Sequence, residues 1–182
     1  MWRRLEKSCR MLALGLGLLA SPFPVHANNN AAEIKTAFIY NFAKFVEWPG
    51  SAFAEPDSPL QLCVWEATLE GRLHLLNGRE AQGRKIRVRR LETPDSLPGC
   101  HILVVGSMND SLRTQLLQAI GHGNVLTIGD SGDFIHQGGM IGLFVEANRV
   151  QFSVNLKAAQ TAGLKMSARL LQLAHNLRGG TP

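Results

Sequence analysis

Residues 101–128 have the sequence HILVVGSMNDSLRTQLLQAIGHGNVLTI, in which two short apolar runs stand on either side of one helical pattern. The runs His101–Val105 and Val125–Ile128 are rich in β-branched residues and predict buried strands. Ser111–Ile120, which lies between them, predicts a helix. A strand–helix–strand unit of this kind is typical of parallel strands joined by a crossover helix.

The same alternation continues on both sides of this unit. Further strands are predicted at Leu60–Trp65, Lys85–Leu91, Met140–Val145 and Val150–Val154. Further helices are predicted at Ala31–Val46, Thr68–Leu76, Leu156–Ala162 and Met166–Leu177. The sequence therefore predicts a single three-layer α/β domain, in which a mostly parallel sheet of about six strands is flanked by about five helices.

The chain has 182 residues, and its first 27 are typical of an export signal. A basic segment precedes the apolar run Met11–Ala20, Pro22 and Pro24 end it, and Val25 and Ala27 supply the small residues that a signal peptidase needs at its −3 and −1 sites. We expect cleavage after Ala27, which leaves residues 28–182 as one domain in the periplasm. The alternative is an uncleaved anchor, but the apolar run is shorter than the ~20 residues that normally span a bilayer.

The charge of the chain argues against a nucleic-acid partner. The chain has 19 Lys and Arg and 14 Asp and Glu, but residues 1–27 contain four of the basic residues and one of the acidic ones. Residues 28–182 therefore carry 15 basic and 13 acidic residues, which is a net charge of +2. The basic excess lies mostly in the export signal, so a nucleic-acid partner loses its main support. Residues 28–182 also have no apolar run of membrane-spanning length, so we expect no stable membrane insertion.

Cys63 and Cys100 are the two cysteines that remain after cleavage. An even number of cysteines in an exported chain is typical of a disulfide, and two free buried thiols are the alternative. Cys63 lies in the first predicted strand and Cys100 directly precedes the third. In a doubly wound sheet with the order 2-1-3 these strands are neighbours, so a Cys63–Cys100 bridge is geometrically feasible.

The sequence contains no complete catalytic or metal-binding motif. Gly129–Gly132 (GDSG) is similar to the nucleophile segment of trypsin-like serine proteases, but the chain is too short for that fold and Asp133 replaces the glycine that follows. The five histidines of residues 28–182 are scattered, and no glycine-rich loop between a strand and a helix could cradle a phosphate. We therefore expect that the protein is not an enzyme and holds no metal and no cofactor.

Two longer stretches resemble the YfiR family. They are residues 31–49 (AAEIKTAFIYNFAKFVEWP) and residues 138–173 (GGMIGLFVEANRVQFSVNLKAAQTAGLKMSARLLQL), and a weaker similarity extends through Cys63, Cys100 and residues 125–133. The resemblance implies a periplasmic negative regulator that binds the extracytoplasmic domain of an inner-membrane diguanylate cyclase, or of a related receptor. Such binding lowers cyclic di-GMP signalling and so affects biofilm formation.

The resemblance also implies a homodimer, and an outer-membrane lipoprotein as a further partner. Cys63 and Cys100 match the main disulfide of the family. Some members have a second cysteine pair near residues 138–142, which this sequence lacks, so redox regulation through that pair does not carry over.

Aromatic residues of the first helix and part of the family-like C-terminal segment are candidates for contacts with a protein partner. Interface anchors are often aromatic, although core packing is the alternative for each ring. The candidates are Tyr40, Phe42, Trp48, Phe152, Val154 and Lys157.

A second function stays open, that of a periplasmic module which binds a small molecule and transmits a ligand signal to a membrane receptor or sensor kinase. In an open α/β sheet the ligand crevice lies beyond the carboxyl ends of the strands. This rule predicts a crevice at Trp65, Ser107, Asp130 and Ser131.

Overall fold

The computed structural model describes residues 27–65, 69–106 and 108–179. Most of the predicted export signal lies outside the described residues, and so do Thr68 and the crevice candidate Ser107.

The described residues contain ten strands and five α-helices, which alternate along the chain. The strands are β1 (Val46–Glu47), β2 (Leu60–Trp65), β3 (Glu80–Ala81), β4 (Arg84–Arg90), β5 (Ile102–Val105), β6 (Leu126–Gly129), β7 (Ile141–Glu146), β8 (Arg149–Asn155), β9 (Lys165–Met166) and β10 (Asn176–Arg178). The helices are α1 (Ala27–Phe45), α2 (Glu70–Leu73), α3 (Asp110–Ile120), α4 (Leu156–Thr161) and α5 (Ala168–Gln172). Short 3₁₀ segments occupy Gly50–Ala52, His74–Leu76, Pro94–Ser96 and Gly132–Gln137.

Eight of these strands form one sheet in the order β10-β8-β7-β6-β5-β2-β4-β3. Five of its seven pairings are parallel, and the antiparallel ones are β7 with β8 and β3 with β4. All six predicted strands are present, and β3 and β10 are added at the two edges. The mostly parallel α/β fold predicted from the sequence is therefore confirmed.

Helices cover both faces of the sheet, so the domain has three layers. One core packs α1, α2, α4 and α5 against the sheet, with residues such as Ile39, Leu73 and Leu170 at its centre. The second core lies on the opposite face under α3, and Leu116 and Phe134 contribute to it. Both faces of β2 and β5 are therefore buried, which explains why these strands are continuous apolar runs.

Helix α1 buries more than one of its sides because it packs against several elements. It contacts α2, α5 and β8, and it then leads into β1, which pairs antiparallel with β9. Ile39, Phe42 and Ala43 are completely buried. The helix begins four residues earlier than the predicted start at Ala31 and ends at Phe45, one residue before the predicted end.

The prediction of one continuous helix at Met166–Leu177 is wrong. The structure has β9, then the five-residue helix α5, and then β10. Strand β10 pairs parallel with β8, with Leu177 opposite Val154, and the His175 N–H donates to the Phe152 carbonyl at 2.8 Å. These hydrogen bonds satisfy backbone groups at the edge of β8 that a continuous helix would leave unpaired.

Candidate partner-binding surface

Several residues that were predicted to contact a partner lie in the core. The rings of Phe42 and Phe152 are 5.1 Å apart between centroids, and Phe38 packs against both of them. Phe42, Phe152 and Val154 are all buried. The structure therefore contradicts the prediction that these three side chains contact a partner, because α1 lies across β8 and covers them.

Tyr40 and Trp48 are half-buried, and each makes a hydrogen bond within the chain. The Tyr40 hydroxyl donates to the Glu80 carbonyl at 2.9 Å. The Trp48 indole Nε1 donates to the His101 carbonyl at 3.2 Å. Both remain predicted partner contacts, but only part of each ring is available. Lys157, by contrast, is exposed on α4.

Exposed apolar side chains occur around the β7–β8 hairpin, at positions that the sequence analysis did not name as partner contacts. Val145 is 50% exposed and pairs with Val150. This pair lies on the same face as the buried Leu143–Phe152 pair, two residues closer to the tip of the hairpin. Ile34 is 38% exposed and lies one turn before Phe38, which packs on Phe152.

The end of the chain contributes a further exposed side chain to this region. Leu173 is 66% exposed and follows α5, where the His175–Phe152 hydrogen bond holds the chain beside β8. We call Ile34, Val145 and Leu173 the hairpin patch. Ile34 and Leu173 have the helical spacing of an apolar stripe, and Val145 ends a predicted strand, so the sequence pattern alone does not identify the patch.

The predicted crevice is only partly assembled in the described residues. Asp130 and Ser131 line a cavity of about 200 Å³ together with Arg113. Arg113 is already satisfied by Asp110, Gln137 and the Met108 carbonyl, at 2.6 to 2.7 Å. Trp65 is buried, and its Nε1 has no hydrogen-bond partner among the described residues.

The Ser131 side chain is exposed and caps the turn that follows β6. Its oxygen accepts a hydrogen bond from the Asp133 N–H at 3.2 Å and so caps the 3₁₀ segment Gly132–Gln137. This cap explains the Gly-Asp-Ser-Gly sequence as a turn that leaves β6.

The structure contains the predicted disulfide between Cys63 and Cys100. Cys63 lies on β2 and Cys100 precedes β5, and these strands are adjacent and parallel. The Cα atoms are 5.9 Å apart, and both cysteines are buried. Arg89 of β4 lies beside the bridge, and its Nη2 donates to the Pro98 carbonyl and contacts Cys100 Sγ at 3.3 Å.

His101 connects the start of β5 to the segment that precedes β2. Its Nδ1 accepts from the Gln61 N–H at 3.0 Å, so the neutral ring carries its proton on Nε2, which donates to the Ala52 carbonyl at 3.0 Å. The ring stacks on Phe53, with 4.4 Å between centroids. The Arg84 guanidinium lies over the Phe53 ring, with its Cζ 3.6 Å from the ring centroid.

Burial lowers the pKa of His101 below its ordinary value of 6.5, and the positive charge of Arg84 lowers it further, while the bond to Ala52 acts in the opposite direction. Folding therefore favours the neutral ring, and the unfolded chain binds the proton more readily. The neutral His101 ring therefore contributes its full stabilisation above pH 6.5. This stabilisation is lost as the pH falls from 6.5 through the lower pKa of the folded state.

We expect the free energy of unfolding to decrease between pH 7.5 and pH 5.5 by up to about 1.4 kcal/mol per pH unit for this one group. Urea denaturation of the wild type and of His101→Gln at both pH values measures it. The variant should show a smaller decrease, because glutamine does not titrate. Equal decreases in the two proteins would contradict the assignment.

The described residues contain no group of three or more His, Cys, Asp or Glu side chains that could hold a metal ion. In the same part of the chain, no helix has both the length and the apolar character needed to cross a membrane.

The three-layer domain and the buried Cys63–Cys100 bridge define a disulfide-bridged α/β protein. The family comparison identifies it further. The model of the YfiR/HmsC-like family matches residues 32–175, and the chain therefore belongs to this family.

A solved structure supports the fold. A conserved domain protein from Vibrio cholerae O1 biovar El Tor strain N16961 superimposes with a TM-score of 0.54 at 10% sequence identity. The match covers 81% of this chain and 60% of the other, so this chain spans less than two thirds of that protein's length. At this identity the similarity shows the fold alone. No curated protein matches the sequence.

Proposed function

We propose that this protein is a periplasmic negative regulator, which binds the extracytoplasmic domain of an inner-membrane diguanylate cyclase and lowers cyclic di-GMP. Membership of the YfiR/HmsC-like family supports this role. The observation that carries the proposal is the hairpin patch, because side chains such as Leu173 and Val145 leave apolar surface uncovered in the single chain.

Residues 1–27 act in this proposal as the cleavable export signal, and residues 28–182 act as the regulatory domain. The buried Cys63–Cys100 bridge supports export, since structural disulfides persist in oxidising compartments. The regulator works as a homodimer, and an outer-membrane lipoprotein relieves the repression by sequestering it.

The proposal predicts that deletion of the gene raises cellular cyclic di-GMP severalfold, because the cyclase is released from repression. Mass spectrometry of nucleotide extracts measures this rise. The complete chain, supplied from a plasmid, should restore the original level. A chain that lacks residues 1–27 should fail to restore it, because the domain then stays in the cytoplasm. An unchanged level in the deletion strain would contradict the proposal.

A further inference from the structure

A basic groove lies at the end of the sheet that is opposite to the hairpin patch. Its volume is about 590 Å³, which is within the range of small-molecule sites. Four different segments of the chain supply its basic and imidazole side chains, which are His122, His136, Lys157 and Arg178. The residues that line it include no aspartate or glutamate.

Arg178 is positioned at the wall of this groove by the backbone. Its Nη1 donates to the Ile135 carbonyl at 3.2 Å, and the same carbonyl accepts from Asn155 Nδ2 at 3.2 Å. A guanidinium has five N–H donors, and no other side-chain hydrogen bond of Arg178 occurs within the described residues. The head group is therefore held in place with most of its donors available.

The basic and imidazole side chains of the groove form no ion pairs in the described part of the chain. Within the described part of the chain, none of His122, His136, Lys157 and Arg178 forms a salt bridge with a carboxylate. In contrast, His74 lies 3.9 Å from Glu70, and His175 lies 3.7 Å from Glu146. Lys157 and Arg178 therefore bring two positive charges without a salt-bridge partner into one groove.

The groove also offers apolar surface beside the basic side chains. Met140 is buried beneath it, and Ala158 and Ala162 of the α4 region line one side. A mixture of apolar walls and a few convergent polar groups is typical of sites for small organic ligands.

We propose that the basic groove binds a small organic anion through a phosphate or carboxylate group. Lys157 and Arg178 provide charge-assisted hydrogen bonds to the anion, and His122 and His136 contribute further N–H donors. The apolar side near Met140 accommodates the rest of the ligand. This site goes beyond the proposed regulatory function, and Asn155 at its wall is about 17 Å along β8 from Val150, the residue that pairs with Val145 of the patch.

Titration of the purified chain with inorganic pyrophosphate and with citrate tests the proposal at low salt, because screening weakens charge–charge attraction. Isothermal calorimetry measures the affinity, and amide chemical shifts locate the site. We expect saturable binding of at least one probe, with shifts at His136, Lys157 and Arg178. Tighter binding of pyrophosphate would identify a phosphate ligand, and tighter binding of citrate would identify a carboxylate.

Two variants separate a specific site from general attraction. Lys157→Gln should weaken binding at least fivefold, and its thermal stability should be unchanged because Lys157 is exposed. Lys85→Gln is the matched control, since Lys85 is an exposed lysine on β4 near the other edge of the sheet. The proposal is overturned if neither probe saturates, or if both variants weaken binding equally.

Discussion

Replacement of Cys63 by serine is expected to lower the free energy of unfolding by about 4 kcal/mol, because the bridge joins residues 37 positions apart and restricts the unfolded chain. Urea denaturation of the oxidised wild type and of the variant measures the difference. A domain of this size has roughly 5–15 kcal/mol of stability, so the loss is a large fraction of the total. The variant should therefore accumulate poorly in the periplasm and release its target.

Reduced wild-type protein is the control for this experiment. It keeps both sulfur atoms in the core beside Arg89, so its stability isolates the effect of the covalent bond from that of packing. We expect reduction to account for most of the loss in Cys63→Ser. Equal stability of the oxidised and reduced wild type would show that the bridge contributes nothing.

The central strands and the bridge could be predicted because the physical causes are local or follow from simple topology. Each of β2 and β5 is a continuous apolar run, since both faces of these strands are covered by helices. Cys63 and Cys100 could be paired because the crossover rule places β2 beside β5.

The C-terminal segment could not be predicted because its structure depends on a distant strand. Leu170, Leu173 and Leu177 have helical spacing, but the edge of β8 needs backbone partners, and β10 supplies them. Non-local hydrogen bonds of this kind override a local helical pattern.

The candidate site was predicted only in part for a similar reason. The aromatic residues of α1 suggested a second apolar face directed at a partner, but α1 contacts α2, α5 and β8 at once. Phe42 is therefore buried in the core, and the Tyr40 hydroxyl donates a hydrogen bond to the Glu80 carbonyl of β3. Val145 lies on the same face of β7 as Leu143. It is two residues closer to the tip of the hairpin, where its side chain is exposed.

The exposed position of the hairpin patch makes a sharp test of partner binding possible. Leu173 and Val145 are 66% and 50% exposed, so a charge at either position needs little rearrangement of the folded chain. At a buried interface the same charge would be desolvated without a partner, which is strongly unfavourable. The fold and the interaction should therefore respond differently to one substitution.

Leu173→Asp and Val145→Asp are each expected to weaken binding of the cyclase's extracytoplasmic domain more than tenfold, since each would leave an unpaired carboxylate desolvated at the interface. Cellular cyclic di-GMP should then rise to the level of the deletion strain, while the melting temperature stays within a few degrees of the wild type. Leu75→Asp is the matched control, because Leu75 is 71% exposed but lies in the 3₁₀ segment after α2, near the opposite edge of the sheet. Normal repression by both patch variants would show that the partner docks elsewhere, and Tyr40, Trp48 and Lys157 would then be the next positions to substitute.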